Sequence, residues 1–278
     1  MAQPARSIVF VSDFGLSNEW VGICHAVMSR ISPTSPIVDL SHLVPALDVR
    51  FGAVLLVDSL AYIADDAVIL AVVDPSVGRD RDIAIEAEGG RLFVGPDNGL
   101  LVPAWKSLGG VRRAVEITSD KVILQPVSKM FHARDVLAPA AAHVASGLAL
   151  DELGHEIDPG TLTGLDVPEP EVEPGKIRCE VVNFNRFGNL QLNVRHAHLV
   201  AAGLESRNQV AVEAVSATAL ARPGETYADF EAGEYGLLMD PRGWLTVVRG
   251  NPASALEGLD VSTGDQIWLS ASDGEAAR

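Results

Sequence analysis

The sequence predicts two domains of different class: an α/β domain with a mostly parallel sheet over residues 1–163, then a smaller all-β, barrel-like domain over residues 177–278. Three observations support this division. Short apolar segments alternate with helix-like segments in the first half, as in α/β proteins. The stretch 164–176 interleaves three prolines with glutamates, a composition typical of a linker. Beyond it, short strand-like segments are separated by Gly, Pro and Asn, as in a small barrel.

The first half alternates between the two periodicities in chain order. Apolar, β-branched segments predict strands at residues 7–11, 37–40, 67–73, 82–87 and 92–94. Helical spacing of apolar residues predicts helices over 19–30, from Asp48 onward and over 135–147, with Asp48 and Asp135 as helix caps. Ala67–Val73 is apolar throughout, as expected of a strand buried on both faces of a parallel sheet. Gly89-Gly90 between two strand segments indicates a hairpin.

The second half lacks helical periodicity and instead contains short strand candidates. They are predicted at Ile177–Val182, Leu190–Val194, Gln209–Val215, Gly236–Met239, Leu245–Val248 and Gln266–Ser270. Gly, Pro and Asn residues separate these segments. A barrel or sandwich is therefore the expected architecture.

Composition excludes several classes of protein. The chain has 278 residues, of which 47% are hydrophobic, so it can bury a sizeable core. A formal charge of −16 argues against sequence-independent binding to nucleic acid or to an anionic membrane, since both require a basic surface. Only Cys24 and Cys179 are present, which excludes a disulfide framework. The first residues lack the apolar core of a signal peptide, so we expect a cytoplasmic protein.

Polar clusters follow the predicted strands, where ligands collect in α/β sheets. They are Ser12–Gly15, Asp74–Arg81, Gly95–Gly99 and Phe131–Asp135. Each cluster also has a structural interpretation: Asp13 as a cap, Asp74 as a turn initiator, Arg81 as a solvated cation and His132 as a member of an ion pair. The residues alone leave both interpretations open.

Motifs of several common chemistries are missing from the sequence. It contains no Gly-x-Gly-x-x-Gly, no Gly-x-x-x-x-Gly-Lys-Ser/Thr, no Cys-x-x-Cys, no His-Glu-x-x-His and no Gly-x-Ser-x-Gly. His196 and His198 lack a carboxylate at ligand spacing, so we expect no zinc site there.

A set of motifs in a fixed order resembles one known family. They are Ser12–Gly15, Ile37–His42, Val72–Gly78, Val94–Leu101, Phe131–Asp135, Arg186–Leu190, Thr226–Asp229 and Arg242-Gly243. In these motifs the chain resembles the S-adenosylmethionine hydroxide adenosyltransferases, which are adenosine-forming S-adenosylmethionine hydrolases related to the fluorinase and the chlorinase. The resemblance implies attack of water or hydroxide on C5′ of the ribose, with adenosine and methionine as products. It implies no metal and no organic cofactor.

The resemblance also implies a catalytic triad of Asp74, Arg81 and His132. These residue types suit the chemistry, because the sulfonium leaves readily and the difficulty lies in holding a weak nucleophile in line. Asp74 and His132 can orient water or accept its proton, and Arg81 can stabilise hydroxide character. The halogenating relatives hold other residues at the Asp and His positions, so both together favour water over halide.

Substrate contacts are implied position by position. Asp13 matches the residue that holds the ribose hydroxyls, and Glu19 partly retains a contact to the methionine amino group. The implied adenine contacts come from Phe187, Asn189, Tyr227 and the loop from Arg249 to Ala253. Arg242 matches the residue that binds the methionine carboxylate. The chain departs from the family pattern at Ala133, Asn185, Pro241 and Gly250.

The family resemblance implies a homotrimer with its active sites at subunit interfaces. Two alternatives to the hydrolase remain. A halide-dependent, chlorinase-like adenosyltransferase would use the same fold. A non-catalytic sensor of S-adenosylmethionine or adenosine would be consistent with the departures at Asn185 and Gly250.

Overall fold

The computed structural model describes residues 5–165 and 168–272. The chain divides into two compact units, Met1–Leu165 and Asp166–Arg278. The first unit is an α/β domain and the second a β-barrel, which confirms the predicted fold class. No helix within the described ranges combines the length and the apolar character needed to cross a bilayer.

The first unit is built on a sheet that has seven strands within residues 5–165. The strands are β1 (Ile8–Ser12), β2 (Ile37–Ser41), β3 (Val68–Val72), β4 (Asp82–Ala87), β5 (Leu92–Pro96), β6 (Val111–Ile117) and β7 (Gly154–Ile157). The α-helices are α1 (Trp20–Ile31), α2 (Val49–Ser59), α3 (Val102–Ser107) and α4 (Ala138–Ala145). Across the sheet the order is β2-β1-β3-β5-β4-β6-β7, and only β4 and β7 of these described strands run opposite to the others.

The centre of this sheet explains the apolar runs of the sequence. Every residue of β1 and β3 is buried, because helices cover both faces. Ile8 and Phe10 pack with α1 and α4 in one core, while the alternate residues Val9 and Val11 are buried on the other face. The carboxyl ends of these two adjacent strands therefore stand side by side.

The alanine-rich helix differs from its prediction at the N-terminus. Ala133–Leu137 forms a π-helical turn, and α4 begins only at Ala138, with Pro139 in its first turn. The prediction that Asp135 caps this helix is therefore wrong, because Leu137 is the N-cap of α4. The Asp135 carboxylate instead accepts hydrogen bonds from the Arg134 guanidinium at 2.6 and 2.7 Å and from the Ser128 amide at 2.8 Å. His132 directly precedes this π-turn, as its N-cap.

The second unit is a closed barrel with a short extra strand. Its strands are β8 (Glu171–Glu173), β9 (Lys176–Phe184), β10 (Leu190–Arg195), β11 (Val210–Glu213), β12 (Thr218–Pro223), β13 (Tyr235–Met239), β14 (Trp244–Arg249) and β15 (Gln266–Ala271). Two helices, α5 (His196–Ala202) and α6 (Ala255–Leu259), connect them. β10 pairs with both β14 and β9, and this closes the ring β9-β10-β14-β13-β12-β11-β15. His196 and His198 lie in α5, where His198 Nδ1 accepts the Arg195 amide and caps the helix.

The stretch 164–176 is only partly a connection, and its prediction as a linker needs correction. Glu171–Glu173 form β8, which pairs antiparallel with β9, and Val172 packs against the barrel core. An edge strand tolerates flanking prolines because only one side of it needs ladder hydrogen bonds. Both cysteines are buried and unpaired, and burial raises the pKa of the Cys24 thiol to about 12.

Candidate functional site

A cavity of about 320 Å³ lies at the carboxyl ends of β1 and β3 in the first unit. Its walls include three of the predicted site residues, Asp13, Asp74 and His132. Asp13 directly follows β1, and Asp74 follows β3, whose register with β1 brings Ser12 opposite Val72. The parallel sheet thus brings two carboxylates to one edge, as the topology of α/β folds requires.

Asp74 is held in a loop whose backbone binds its side chain. Its Oδ1 accepts a hydrogen bond from the Ser76 amide at 2.9 Å. The carboxyl is half-buried, and this burial raises the pKa of Asp74 above its usual value. The nearby charges of Asp80 and Asp13 act in the same direction. A carboxylate with a raised pKa is a stronger proton acceptor than a solvated one.

His132 is oriented by Asp82, a residue that the sequence analysis did not identify. His132 Nδ1 lies 2.7 Å from Asp82 Oδ2, and both side chains are largely buried. Burial raises the pKa of Asp82 to about 6, although His132 opposes the shift. A hydrogen bond from Nδ1–H to an ionised Asp82 leaves Nε2 as the ring nitrogen that can accept a proton. The pair therefore has the elements of an oriented base.

Gly78 permits the close approach of the Asp74 loop to His132. Its φ is +78°, and an added Cβ would lie 2.9 Å from the Lys129 carbonyl oxygen and 3.7 Å from His132 Nε2. Only glycine meets both the left-handed conformation and the space. Its position indicates that the Asp74 loop and the segment before His132 are packed backbone to backbone.

We expect Gly78→Ala to destabilise the first unit by about 2 kcal/mol, through backbone strain and the clash with Lys129. Urea unfolding followed by fluorescence would measure this change. Gly90→Ala is the matched control, because Gly90 has φ +81° but open space around its Cβ position. If both variants lose the same stability, the close approach contributes nothing.

Three aromatic rings form one wall of the cavity. Phe14, Trp20 and Phe131 meet edge to face, with ring centroids 6.0 to 6.5 Å apart. Aromatic faces attract organic cations, and the carboxylates of Asp13 and Asp74 add negative charge. The cavity therefore suits a positively charged organic group. The sequence analysis did not identify Trp20 and gave the Phe131 ring no role of its own, because aromatic residues on a helix and before a turn normally indicate core packing.

Asp13 is fixed from one side by a strained residue. Its Oδ2 accepts the Leu47 amide at 2.8 Å, and Leu47 adopts φ +67°, which is unfavourable for a residue with a Cβ. Such strain is retained where the surrounding structure requires the conformation. Asp13 also lines the first cavity.

Arg81, the third member of the implied triad, is not among the residues that line this cavity in the first unit. Its Nε and Nη2 donate to Asp97 Oδ2 at 3.1 and 2.5 Å, and Nη2 also donates to the Thr161 carbonyl at 2.8 Å. Alternation along the chain explains the difference, since adjacent residues point to opposite sides. Asp82, the next residue, reaches His132, so Arg81 points toward Asp97. Glu19 is likewise absent from the lining and lies exposed at the N-cap of α1.

A second cavity, of about 250 Å³, lies in the barrel unit. Phe187, Asn189, Tyr227 and Arg249, all predicted to contact adenine, are among its lining residues. Phe187 and Tyr227 are each 60% exposed, so both rings have a free face on which a planar ligand could stack. The remaining lining residues are Asn185, Phe230, Val248, Gly250 and Asn251.

Asn185 shapes the loop that carries Phe187 and Asn189. Its Oδ1 accepts the amides of both residues, at 3.0 and 3.2 Å, and forms a tight turn. Gly188, within this turn, has φ +75°, and an added Cβ would lie only 1.9 Å from Ser254 Oγ. An aspartate at position 185 could accept the same amides, so the departure from the family pattern preserves the loop.

Arg242 and Ala253 are absent from the lining of the second cavity. Arg242 donates from Nε and Nη2 to Asp240 Oδ2 at 3.1 and 2.9 Å. Ala253 closes a turn by donating its amide to the Gly250 carbonyl at 3.2 Å. Both residues lie in loops at strand ends of the barrel, one before β14 and one after it.

These features define a class: a protein with an α/β unit that carries a carboxylate–histidine cavity and a barrel unit that carries a cavity lined by aromatic and amide groups. Family models identify it further. The model of the SAM hydroxide adenosyltransferase N-terminal domain matches residues 8–154, and that of the C-terminal domain matches residues 179–268. The chain belongs to the SAM hydroxide adenosyltransferase family.

Individual relatives agree with this assignment. An (R)-S-adenosyl-L-methionine hydrolase of Salinispora tropica is 39% identical over 96% of this chain and 99% of its own. A fluorinase of an Actinoplanes species is 27% identical over 87% of this chain and 90% of its own. An uncharacterised conserved protein of Thermotoga maritima has a crystal structure that matches with a TM-score of 0.86 and 30% identity, covering 95% of this chain and 99% of that one.

Proposed function

We propose that the protein hydrolyses S-adenosyl-L-methionine to adenosine and L-methionine. The observation that carries this proposal is the cavity that unites Asp74 and His132 with three aromatic rings. Aromatic rings and carboxylates suit a sulfonium cation, and the carboxylate–histidine pair suits a water nucleophile. The hydrolase relatives are also closer in sequence than the fluorinases.

The reaction is a displacement at C5′ of the ribose. A water molecule held by Asp74 and His132 attacks C5′, the bond from C5′ to sulfur breaks, and methionine leaves as a neutral thioether. The proton of the water passes to the Asp74–His132 pair. Since the sulfonium needs no acid to leave, in-line positioning of the water is the main contribution of these side chains.

Arg81 enters the proposal from the family resemblance. Its guanidinium is bound to Asp97 and Thr161, and it is adjacent in sequence to Asp82, which orients His132. In this proposal Arg81 supports the start of β4 and thereby the position of Asp82. Removing its charge would then disturb the base indirectly.

The remaining predicted site residues are proposed to bind the nucleoside and methionine parts of the substrate. Asp13 accepts the ribose hydroxyls, and Phe187, Asn189, Tyr227 and the 249–253 loop hold the adenine. We further propose that Arg242 binds the methionine carboxylate and Glu19 its amino group. The lining of the second cavity, with two exposed rings and a buried amide, supports its use for a nucleobase.

The configuration at sulfur is a further part of the proposal. The hydrolase relatives are named for the (R) form at the sulfonium. We propose the same preference here, so that the enzyme removes the epimer rather than the common methyl donor.

Chromatography of products from purified protein tests the proposal. Each sulfonium epimer is incubated separately, with and without chloride. We expect adenosine and methionine from the (R) epimer at a rate independent of chloride. A 5′-chloro nucleoside would identify a halide-dependent transferase instead. Binding of substrate without product would identify a sensor.

We expect Phe187→Ala to weaken adenosine binding by about tenfold, because stacking of a base on an aromatic ring contributes about 1–3 kcal/mol. Isothermal titration with adenosine would measure the change. Tyr62→Ala is the control, since Tyr62 is an exposed ring of the first unit outside both cavities. Equal affinity of the parent and the Phe187 variant would rule out adenine stacking at this ring.

We propose, lastly, that the protein is a cytoplasmic homotrimer with active sites at subunit interfaces. Two observations support an interface near the first cavity: its rim residue Met130 is 85% exposed, and Leu47 beside it is also exposed. Sedimentation velocity would give the oligomeric state directly, and a monomer at micromolar concentration would contradict this part.

A further inference from the structure

A cluster of three potential metal ligands lies in the first unit, on residues that the proposed reaction does not use. His25 comes from α1, Asp39 from β2, and His42 from the segment just after β2. The Nε2 atoms of the two histidines lie 2.7 and 3.0 Å from Asp39 Oδ1. The three ligand atoms all lie within 4.8 Å of one another. We call these residues the histidine–aspartate cluster.

The two ring nitrogens of His42 have different surroundings. The side chain is nearly fully buried, and its Nδ1 is bound to Ser12 Oγ at 2.7 Å. Its Nε2 is also buried, and its one contact, with Asp39 Oδ1 at 3.0 Å, is an ion pair that falls short of well-formed hydrogen-bond geometry. An unsatisfied buried polar atom costs roughly 1–3 kcal/mol. Metal-binding histidines commonly show this arrangement, with one nitrogen on a hydrogen-bond partner and the other directed at the ion.

We propose that His25, Asp39 and His42 bind one divalent transition-metal ion, with zinc as the representative ion and water as its fourth ligand. Zinc bonds of 2.0–2.2 Å in a tetrahedral site separate ligand atoms by about 3.3 Å. The two histidine–aspartate spacings of 2.7 and 3.0 Å would each widen by a few tenths of an ångström, and the third pair of ligand atoms already lies within 4.8 Å. Two imidazoles and one carboxylate favour zinc, nickel or iron over calcium or magnesium, which take mainly oxygen ligands.

The location gives the ion a structural role. It would join α1 and β2 to the end of β1, because Ser12 holds His42 and directly precedes Asp13. The His42 carbonyl also accepts the amide of Gly15 at 2.7 Å, so the same segment fixes the loop around Asp13. None of the three ligands is among the residues that line the first cavity. His25 and Asp39 are partly exposed, so an ion has a route of entry from solvent.

Zinc titration of the chelator-treated full-length protein tests this proposal without reference to activity. We expect calorimetry to give one zinc per chain, and cobalt to give the intense visible bands of a tetrahedral site. His25→Ala and Asp39→Ala should each lower zinc affinity at least tenfold, and Ser12→Ala by about tenfold through the orientation of His42. His155→Ala is the matched control, because His155 is exposed on β7, and its affinity should equal that of the parent.

Three results would overturn the proposal. They are a parent protein with no zinc binding tighter than about 1 mM, His25→Ala binding as well as the parent, or His155→Ala losing as much affinity as His25→Ala. His25 is partly exposed on its helix, so its variant is expected to fold, and circular dichroism verifies this before titration. A hydrogen-bonded network without metal predicts the first result.

Discussion

Replacing His132 by alanine is expected to lower kcat by about 10²–10⁴-fold, the usual contribution of a positioned general base. Substrate affinity should stay close to that of the parent, because the aromatic wall and the Asp13 carboxylate remain. Single-turnover release of adenosine measures the chemical step, and calorimetry measures binding. Imidazole added to the variant should restore part of the rate, since it can occupy the space left by the ring and accept the proton.

The partner of His132 sharpens this prediction. Asp74→Asn alone should produce a loss of similar size, because its raised pKa makes it the other acceptor of the pair. If the two side chains hold one water molecule as a unit, the double variant loses little more than either single variant. Additive losses would mean that they act on different steps. His155→Ala, on an exposed histidine of the same unit, should keep full activity.

A rate unaffected by loss of His132 would exclude the histidine as a base. It would leave Asp74 as the only cavity carboxylate with a raised pKa among the described residues. The proposed attack of water would then need Asp74 alone.

Much of the fold follows from the sequence because burial of strands in a parallel sheet leaves a simple pattern. Ala67–Val73 is apolar without interruption and becomes β3, buried on both faces. Asp48 precedes an apolar periodic segment and caps α2 through the Phe51 amide. By contrast, β6 contains two adjacent arginines followed by two adjacent apolar residues, and β12 is rich in alanine, so neither shows the alternation of a distinctive strand pattern.

Some residues of the candidate site can also be predicted from the sequence, and others cannot. Asp13 and Asp74 can be predicted because parallel strands bring their carboxyl ends to one edge. Asp82 cannot, since its contact with His132 spans 50 residues and depends on which way the first residue of β4 points. The same alternation moves Arg81 toward Asp97. A one-residue shift in strand facing is invisible in a motif but decides which of two neighbouring charged residues contacts His132.

Asp82→Asn is expected to lower kcat by about 10²-fold and to shift the acidic limb of the pH profile, which then reports only the remaining bases Asp74 and His132. In the parent, the pKa of Asp82 is about 6 because of burial. Below that pH the pair with His132 carries an additional proton, so Nε2 cannot accept one, and the rate should rise as pH increases through about 6. An asparagine does not titrate and can present its NH₂ group to Nδ1, which would favour the wrong tautomer.

The pH dependence of stability provides an independent check that folding raises the pKa of Asp82. Because folding raises the pKa of Asp82, the folded state binds more protons than the unfolded state between about pH 4 and pH 6. The contribution of Asp82 to the free energy of unfolding is therefore full below its unfolded pKa and is lost as pH increases through about 6. Asp82→Asn should remove this dependence from urea unfolding measured across that range.

Asp80→Asn shows whether Asp82 acts by orienting His132 through a hydrogen bond or only through its negative charge. Asp80 raises the pKa of Asp82 and Asp74 through its charge. Its neutralisation should move the acidic limb to lower pH and leave the maximal rate unchanged, whereas Asp82→Asn should reduce the maximal rate itself. Equal profiles for the two variants would mean that Asp82 acts only through the local field. The hydrogen bond to Nδ1 would then have no part in holding the base.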